Sequence, residues 1–244
     1  MSQRQTLVHG ISPKSVREKE HMPKKLFSTW REFFFLLLRP ALWLRKPLEI
    51  SDLHRDPINQ FQTWYKSAQK RFGVEFANWC CLSTVGKDEY PRGRIVLLKE
   101  YSQQGFVFYT NYLSQKGMDL ENHPKASMTF YWESLQRQVR IVGDIKKVDQ
   151  SVSDAYFATR PRGSQIGAWA SEQSKTLSSR KELQEKYQEY EDKFDDTILR
   201  PSYWGGFILV PNEIEFWELR LSRLHDRFLY TKRDNSWKIE RLAP

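Results

Sequence analysis

The chain has 244 residues, of which 39% are hydrophobic and 14% aromatic, a composition that supports a sizeable core and excludes a disordered chain. Its net charge is +9, but residues 1–50 hold ten Lys/Arg against four Asp/Glu and leave only +3 on the rest, which argues against a nucleic-acid groove on the folded domain. The two cysteines, Cys80 and Cys81, are adjacent and form no C-x-x-C, so neither a zinc site nor a disulfide framework is expected, and a reducing, cytoplasmic setting fits.

Residues 1–50 read as an N-terminal extension and 51–244 as one domain. The extension is polar up to about Lys25 and then carries an apolar run at 33–44, interrupted by Arg39 and Pro40. That run is too short to span a membrane and too far from the start for a signal peptide. It suits a helix packed on the domain or on a partner subunit, the preferred reading, or a segment lying on a membrane surface.

Asp56-Pro57 opens a helix whose apolar stripe is Phe61, Trp64, Tyr65 and Ala68. Strands are expected at 79–85, 92–99 and 106–110. A short helix follows from Ser114 as N-cap to a stop before Pro124, then strands at 126–132 and 138–148. A helix at 153–159 is expected to end at Pro161, with Ser164 turning back towards it. Leu183, Tyr187, Tyr190 and Phe194 mark a longer amphipathic helix. Strands at 204–210, 213–217, 227–231 and 237–241 complete the chain. Strands joined by short turns predict a mainly β fold, an antiparallel barrel with peripheral helices.

There is no G-x-G-x-x-G, no P-loop, no G-x-S-x-G elbow and no paired histidine spacing. Three clusters remain. In the first, alternation sends Ile95, Leu97 and Lys99 to one strand face and Arg94, Val96 and Leu98 to the other, which fits an anionic ligand beside a barrel or simply soluble strand ends. In the second, Tyr156 and Arg160 share a helix face near Arg162, Ser164 and Gln165, a phosphate cradle or equally a solvated helix end. In the third, Arg223, His225 and Arg227 share one face of an extended chain. A histidine between cations favours its neutral form, a state suited to accepting a proton.

Together these stretches resemble the pyridoxine/pyridoxamine 5′-phosphate oxidase family. The resemblance is carried by RIVLLK at 94–99, FYTN at 108–111, RQV at 137–139, YF at 156–157 and RPRGSQIGAW at 160–169. WGGF at 204–207, EFW at 215–217, RLHDRFLY at 223–230 and ERLAP at 240–244 complete it. It runs from about Asp56 to the C-terminus. It implies an FMN-binding split β-barrel and a homodimer with FMN at the subunit interface. Arg94, Ile95, Val96, Leu97, Leu98, Lys99, Tyr109, Thr110, Lys116, Gln138, Gln173, Ser174, Trp217 and Arg227 would contact FMN. Lys99, Tyr156, Arg160 and Ser164 would hold the phosphate of a small phosphorylated pyridine. Arg223, Leu224 and His225 would flank its ring, with Arg223 and His225 catalytic. The implied reaction oxidises C4′ of pyridoxine or pyridoxamine 5′-phosphate to the aldehyde, with molecular oxygen as acceptor. Related oxidases in phenazine biosynthesis and non-catalytic binders of flavin or pyridoxal phosphate are the alternatives. Two departures stand out. Gln115 replaces an arginine that would grip the FMN phosphate, an expected loss on the order of 1 kcal/mol. Glu218-Leu219-Arg220 follows EFW where the family has Gln and small residues. No counterpart of the family's basic-and-tyrosine N-terminal segment is found.

Overall fold

In the computed structural model, which describes residues 45–234 and 236–244, the first long element shows how local sequence sets the fold. Helix α1, Pro57–Phe72, begins where the Asp56 carboxylate accepts from the amides of Ile58 at 2.7 Å and Asn59 at 3.0 Å. Gly73, at φ 80°, ends it. The stripe Phe61, Trp64, Tyr65 and Ala68 is buried as the spacing predicts, and Phe61 meets Tyr101, Phe106 and Phe130 edge-on. The apolar run at 33–44 lies outside the described residues.

Residues Lys46–Pro244 form one compact unit. Its sheet is antiparallel throughout and holds nine strands among the described residues. They are β1 (Trp79–Val85), β2 (Pro91–Leu97), β3 (Glu100–Ser102), β4 (Gly105–Asn111), β5 (Lys125–Trp132), β6 (Arg137–Lys147), β7 (Trp204–Glu218), β8 (Asp226–Arg233) and β9 (Ser236–Arg241). The order is β2-β1-β5-β6-β7-β4-β3, with β8 and β9 added beside β7. No described strand pair closes the ring, so the barrel is split. α2 (Val74–Ala77) links α1 to β1, and α3 (Gln115–Asn122) lies between β4 and β5. α4 (Gln150–Ala158), α5 (Arg162–Ala170) and α6 (Arg180–Lys193) sit between β6 and β7.

Two expectations needed correction, and one helix was missed. Residues 204–217 form one continuous strand rather than two. Pro211 lies opposite Gly143, where the register slips between Val142 and Gly143. A bulge there relaxes the demand for the N–H that proline lacks. Gly143 is required, because a Cβ would stand 2.0 Å from the Val210 carbonyl oxygen. The helix over 153–159 does end before Pro161, as expected, but Pro161 also opens a further helix that was not expected from the sequence. It is the N-cap of α5, and Ser164 falls in that helix's first turn. Arg223 does not share an extended face with His225 and Arg227. Leu221–Arg223 is a tight turn with Ser222 and Arg223 at φ 54° and 62°, and β8 starts only at Asp226.

Candidate active site

A cleft of about 780 Å³ opens between β2, β4 and the α4–α5 corner. The pairing of Trp79 with Leu97 and Cys81 with Ile95 turns Ile95 and Leu97 outward along its wall. Val96 also lines it, whereas the Leu98 side chain is buried in the core and leaves only main chain for any ligand.

One end of the cleft is cationic. Lys116, in the first turn of α3, hydrogen-bonds Gln173 Oε1 at 2.8 Å, Ser114 Oγ at 3.2 Å and Thr110 Oγ1 at 3.3 Å. All three partners are neutral. Burial, reinforced by Arg94, pushes the Lys116 ammonium down to about 8. Arg94 is held from behind: it donates to Thr84 Oγ1 at 2.7 Å and to the Leu82 carbonyl at 3.3 Å. Thr84 in turn donates to buried Asp119 at 2.7 Å, whose carboxylate lies 3.8 Å from the Arg94 guanidinium. Two neighbouring cations, one satisfied only by uncharged oxygens, are a donor set for a phosphate. Gln115 is not part of it. Its amide donates to Asp119 at 2.8 Å, and its side chain lines a separate surface cleft.

The other end is built on aromatics. Tyr109 of β4 stacks on Tyr156 of α4 at 3.9 Å between centroids and on Trp204 of β7 at 5.6 Å. Gly206 makes this possible, since a Cβ there would come within 2.8 Å of the Tyr109 ring. The Arg160 guanidinium sits over Trp204 at 4.5 Å and Lys99 over Tyr156 at 5.8 Å. Two buried atoms here have no hydrogen-bond partner: Arg160 Nη1 and Tyr109 Oη. Burial lowers the Arg160 pKa and raises that of Tyr109 to about 12, so the phenol stays a neutral donor. Ser164 completes this end. Orphaned buried donors facing a cleft fit an anionic ligand.

The remaining candidates lie elsewhere. Gln138, Trp217 and Arg227 stand side by side on β6, β7 and β8, and none lines the cleft. Arg227 donates to Glu215 at 2.8 Å and to the Ala243 carbonyl at 2.9 Å. His225 packs on Trp217 at 4.7 Å, its pKa lowered by burial and by Arg223 and Arg227. Arg223 and Leu224 are exposed beside it. Ser174, at φ 75°, follows Gln173 but does not itself line the cleft. The candidate residues therefore fall into two groups on one chain, one in the cleft and one on the β6–β7–β8 row. Sequence reasoning missed Trp204 as a cleft wall and Asp119 and Thr84 as the support of Arg94. The WGGF stretch held the only signal, since buried polar support has no periodicity.

The sequence model of pyridoxamine 5′-phosphate oxidase matches residues 67–194, and that of the pyridoxine 5′-phosphate oxidase C-terminal dimerisation region matches 204–244. The chain belongs to the pyridoxamine 5′-phosphate oxidase family. Among its relatives, the pyridoxine/pyridoxamine 5′-phosphate oxidase of Burkholderia lata is 50% identical over 203 residues, covering 82% of this chain and 94% of the relative. That of Christiangramia forsetii is 48% identical over 194 residues, covering 79% and 91%. Among solved structures, PhzG from Burkholderia lata in complex with tetrahydrophenazine-1-carboxylic acid superposes with a TM-score of 0.74 at 28% identity, covering 80% of this chain and 95% of PhzG. An FMN-binding protein of Nostoc punctiforme, at 18% identity and TM-score 0.63, shares the fold. FMN is the cofactor that goes with membership of the pyridoxamine 5′-phosphate oxidase family, and Lys116, which lines the cleft with Arg94 close by but outside the lining, is a donor its phosphate can use.

Proposed function

We propose that this chain oxidises pyridoxine 5′-phosphate or pyridoxamine 5′-phosphate to pyridoxal 5′-phosphate, with oxygen reduced to hydrogen peroxide and ammonia released from the amine. The observation that carries the substrate assignment is Arg160 Nη1, a buried guanidinium nitrogen without a partner, in a cleft that also presents Lys99, Tyr156 and Ser164. A substrate phosphate supplies the missing acceptors.

FMN, when bound, would supply the two-electron redox chemistry between C4′ and oxygen. The protein's own work is placement. Arg94 and Lys116 would hold the cofactor phosphate, and Ile95 and Leu97 would offer its ring an apolar wall. Lys99, Tyr156, Arg160 and Ser164 anchor the substrate phosphate away from the reacting carbon, so that binding energy orients the ring. Arg223 and His225 face that ring from the second group. Because that group does not line the chain's own cleft, the working unit is a homodimer in which each cleft is completed by the partner's Gln138–Trp217–Arg227 row. Residues 204–244, the dimerisation region, carry most of that row. We place the enzyme in the cytoplasm, in line with its two unpaired cysteines. Among the described residues no helix is long and apolar enough to cross a membrane.

The likeness to PhzG favours a second reading, a carboxylated tricyclic substrate in place of a phosphorylated pyridine. The test is peroxide release by the purified flavoprotein. Turnover of pyridoxamine 5′-phosphate, with little on unphosphorylated pyridoxine or on a tetrahydrophenazine carboxylate, is the expected result. Turnover of the carboxylate alone would replace the assignment.

A further inference from the structure

We propose that Arg220 is a positioning residue that holds His225 as the neutral tautomer protonated on Nε2, so that the imidazole meets its ligand as a hydrogen-bond donor. The inference rests on the reading above only in taking that ligand to be the substrate.

The main-chain N–H of Arg220 points at His225 Nδ1, 3.1 Å away. A backbone amide can only donate, so Nδ1 must hold a lone pair, and a neutral ring then carries its proton on Nε2. The amide is fixed in turn by its own side chain. The Arg220 guanidinium donates to the Glu218 carboxylate at 2.8 Å, to the Lys46 carbonyl at 2.6 Å and to the Asp226 carboxylate. Glu218 and Asp226 are paired residues at the two stems of the loop, the last of β7 and the first of β8, and both are buried. One guanidinium thus ties both stems together under the turn that carries Arg223 and His225. The other charges around the ring agree with a neutral imidazole. Arg223 and Arg227 are cations, while Asp226 is further engaged by Arg241 at 2.9 Å and Glu218 by Arg137 at 2.7 Å.

A proton-accepting role, which the residue type alone suggests, needs Nε2 bare. Here the acceptor nitrogen is already spent on Arg220. What remains for the substrate is an N–H, suited to an oxygen acceptor on the ring and not to removing a proton. Protonating Nδ1 costs the Arg220 bond, which keeps the ring neutral.

The test uses the FMN-loaded full chain with 15N-labelled histidine, recording long-range proton–nitrogen spectra across pH. The His225 signals are assigned by their loss in His225→Gln. Wild type is expected to show the Nε2–H tautomer alone. Arg220→Ala is expected to give both tautomers and roughly tenfold lower kcat, with FMN binding unchanged. Arg220→Lys, which keeps a cation but not the fork, should fall between and serves if the alanine variant does not fold. An Nδ1–H or mixed signal in wild type overturns the proposal. So does an unchanged tautomer and kcat in a folded Arg220 variant. The spectra need no substrate, so a wild-type enzyme inactive on pyridoxamine 5′-phosphate would refute the proposed reaction and leave the tautomer result standing.

Discussion

The guanidinium of Arg160 lies over the indole of Trp204, 4.5 Å from its centre, with Nη1 buried and unpartnered. The indole holds the guanidinium in place, and the missing partner leaves one arm for a ligand. Hydrogen bonds to charged groups contribute ~1.5–3 kcal/mol. Arg160→Ala should therefore raise KM for pyridoxamine 5′-phosphate roughly ten- to a hundredfold. Slow turnover of unphosphorylated pyridoxine should be indifferent to the change. Steady-state peroxide assays on both substrates check this, and equal losses on the two would remove Arg160 from the cradle.

Lys116 gives FMN binding a pH dependence of known sign. Its ammonium loses its proton near pH 8 in the free protein, and a phosphate binds the charged form. Affinity should hold below that point and fall above it, approaching ~10-fold per pH unit. Fluorescence titration of apo-protein with FMN between pH 7 and pH 10, ranges chosen as roughly one unit below and two above, reads it directly. Lys116→Met should bind FMN more weakly and flatten the profile. A wild-type profile flat through this range would mean that Lys116 does not meet the phosphate.

Gln115 makes the opposite kind of prediction. An arginine at this position was expected from sequence to restore a phosphate contact. In the structure the side chain lies in a neighbouring cleft against Asp119. Gln115→Arg should pair with Asp119 and change FMN affinity by less than about twofold, some 0.4 kcal/mol. Tightening well beyond that, measured at low salt, would show that the longer side chain reaches the phosphate.

The outer face of the sheet predicts association. Ile95, Trp79 and Tyr131 are exposed by 60%, 50% and 57%, and Tyr131 pairs directly with Gln138. Apolar side chains gathered on one face mark an interaction surface. Tyr131→Asp should shift the protein from dimer to monomer in light scattering after gel filtration, and FMN should be lost along with the dimer. A monomer that keeps its flavin would separate the two events and overturn the interfacial site.

Much of this architecture was legible in the sequence where local chemistry decides it. Asp56-Pro57 and Ser114 cap helices as read, and alternation along 94–99 gave the right faces. It failed where the deciding contact is distant. Pro211 looked like a strand break because the bulge at Gly143, on another strand, cannot be seen from position 211. Pro161 was rightly read as a stop, but the helix at 162–170 was missed because the same residue also starts it. The 223–227 cluster was read as one extended face because nothing local announces a left-handed turn at Ser222 and Arg223. Arg220 registered only as a departure from the family pattern. Its meaning depends on Glu218, Asp226 and Lys46 meeting around it.

Strand β7 starts at Trp204, in the wall of the cleft, and ends beside Trp217, in the row proposed to complete the partner's cleft, a backbone path of roughly 43 Å at 3.3 Å per residue. Damage at its two ends therefore falls in different active sites of the proposed dimer. Chains carrying Arg160→Ala and chains carrying His225→Ala should each be poor enzymes. Unfolded together and refolded, they form mixed dimers in which one site collects both lesions and the other collects neither. Random pairing in a two-fold assembly makes half the dimers mixed, so about a quarter of wild-type activity should return from two nearly inactive preparations.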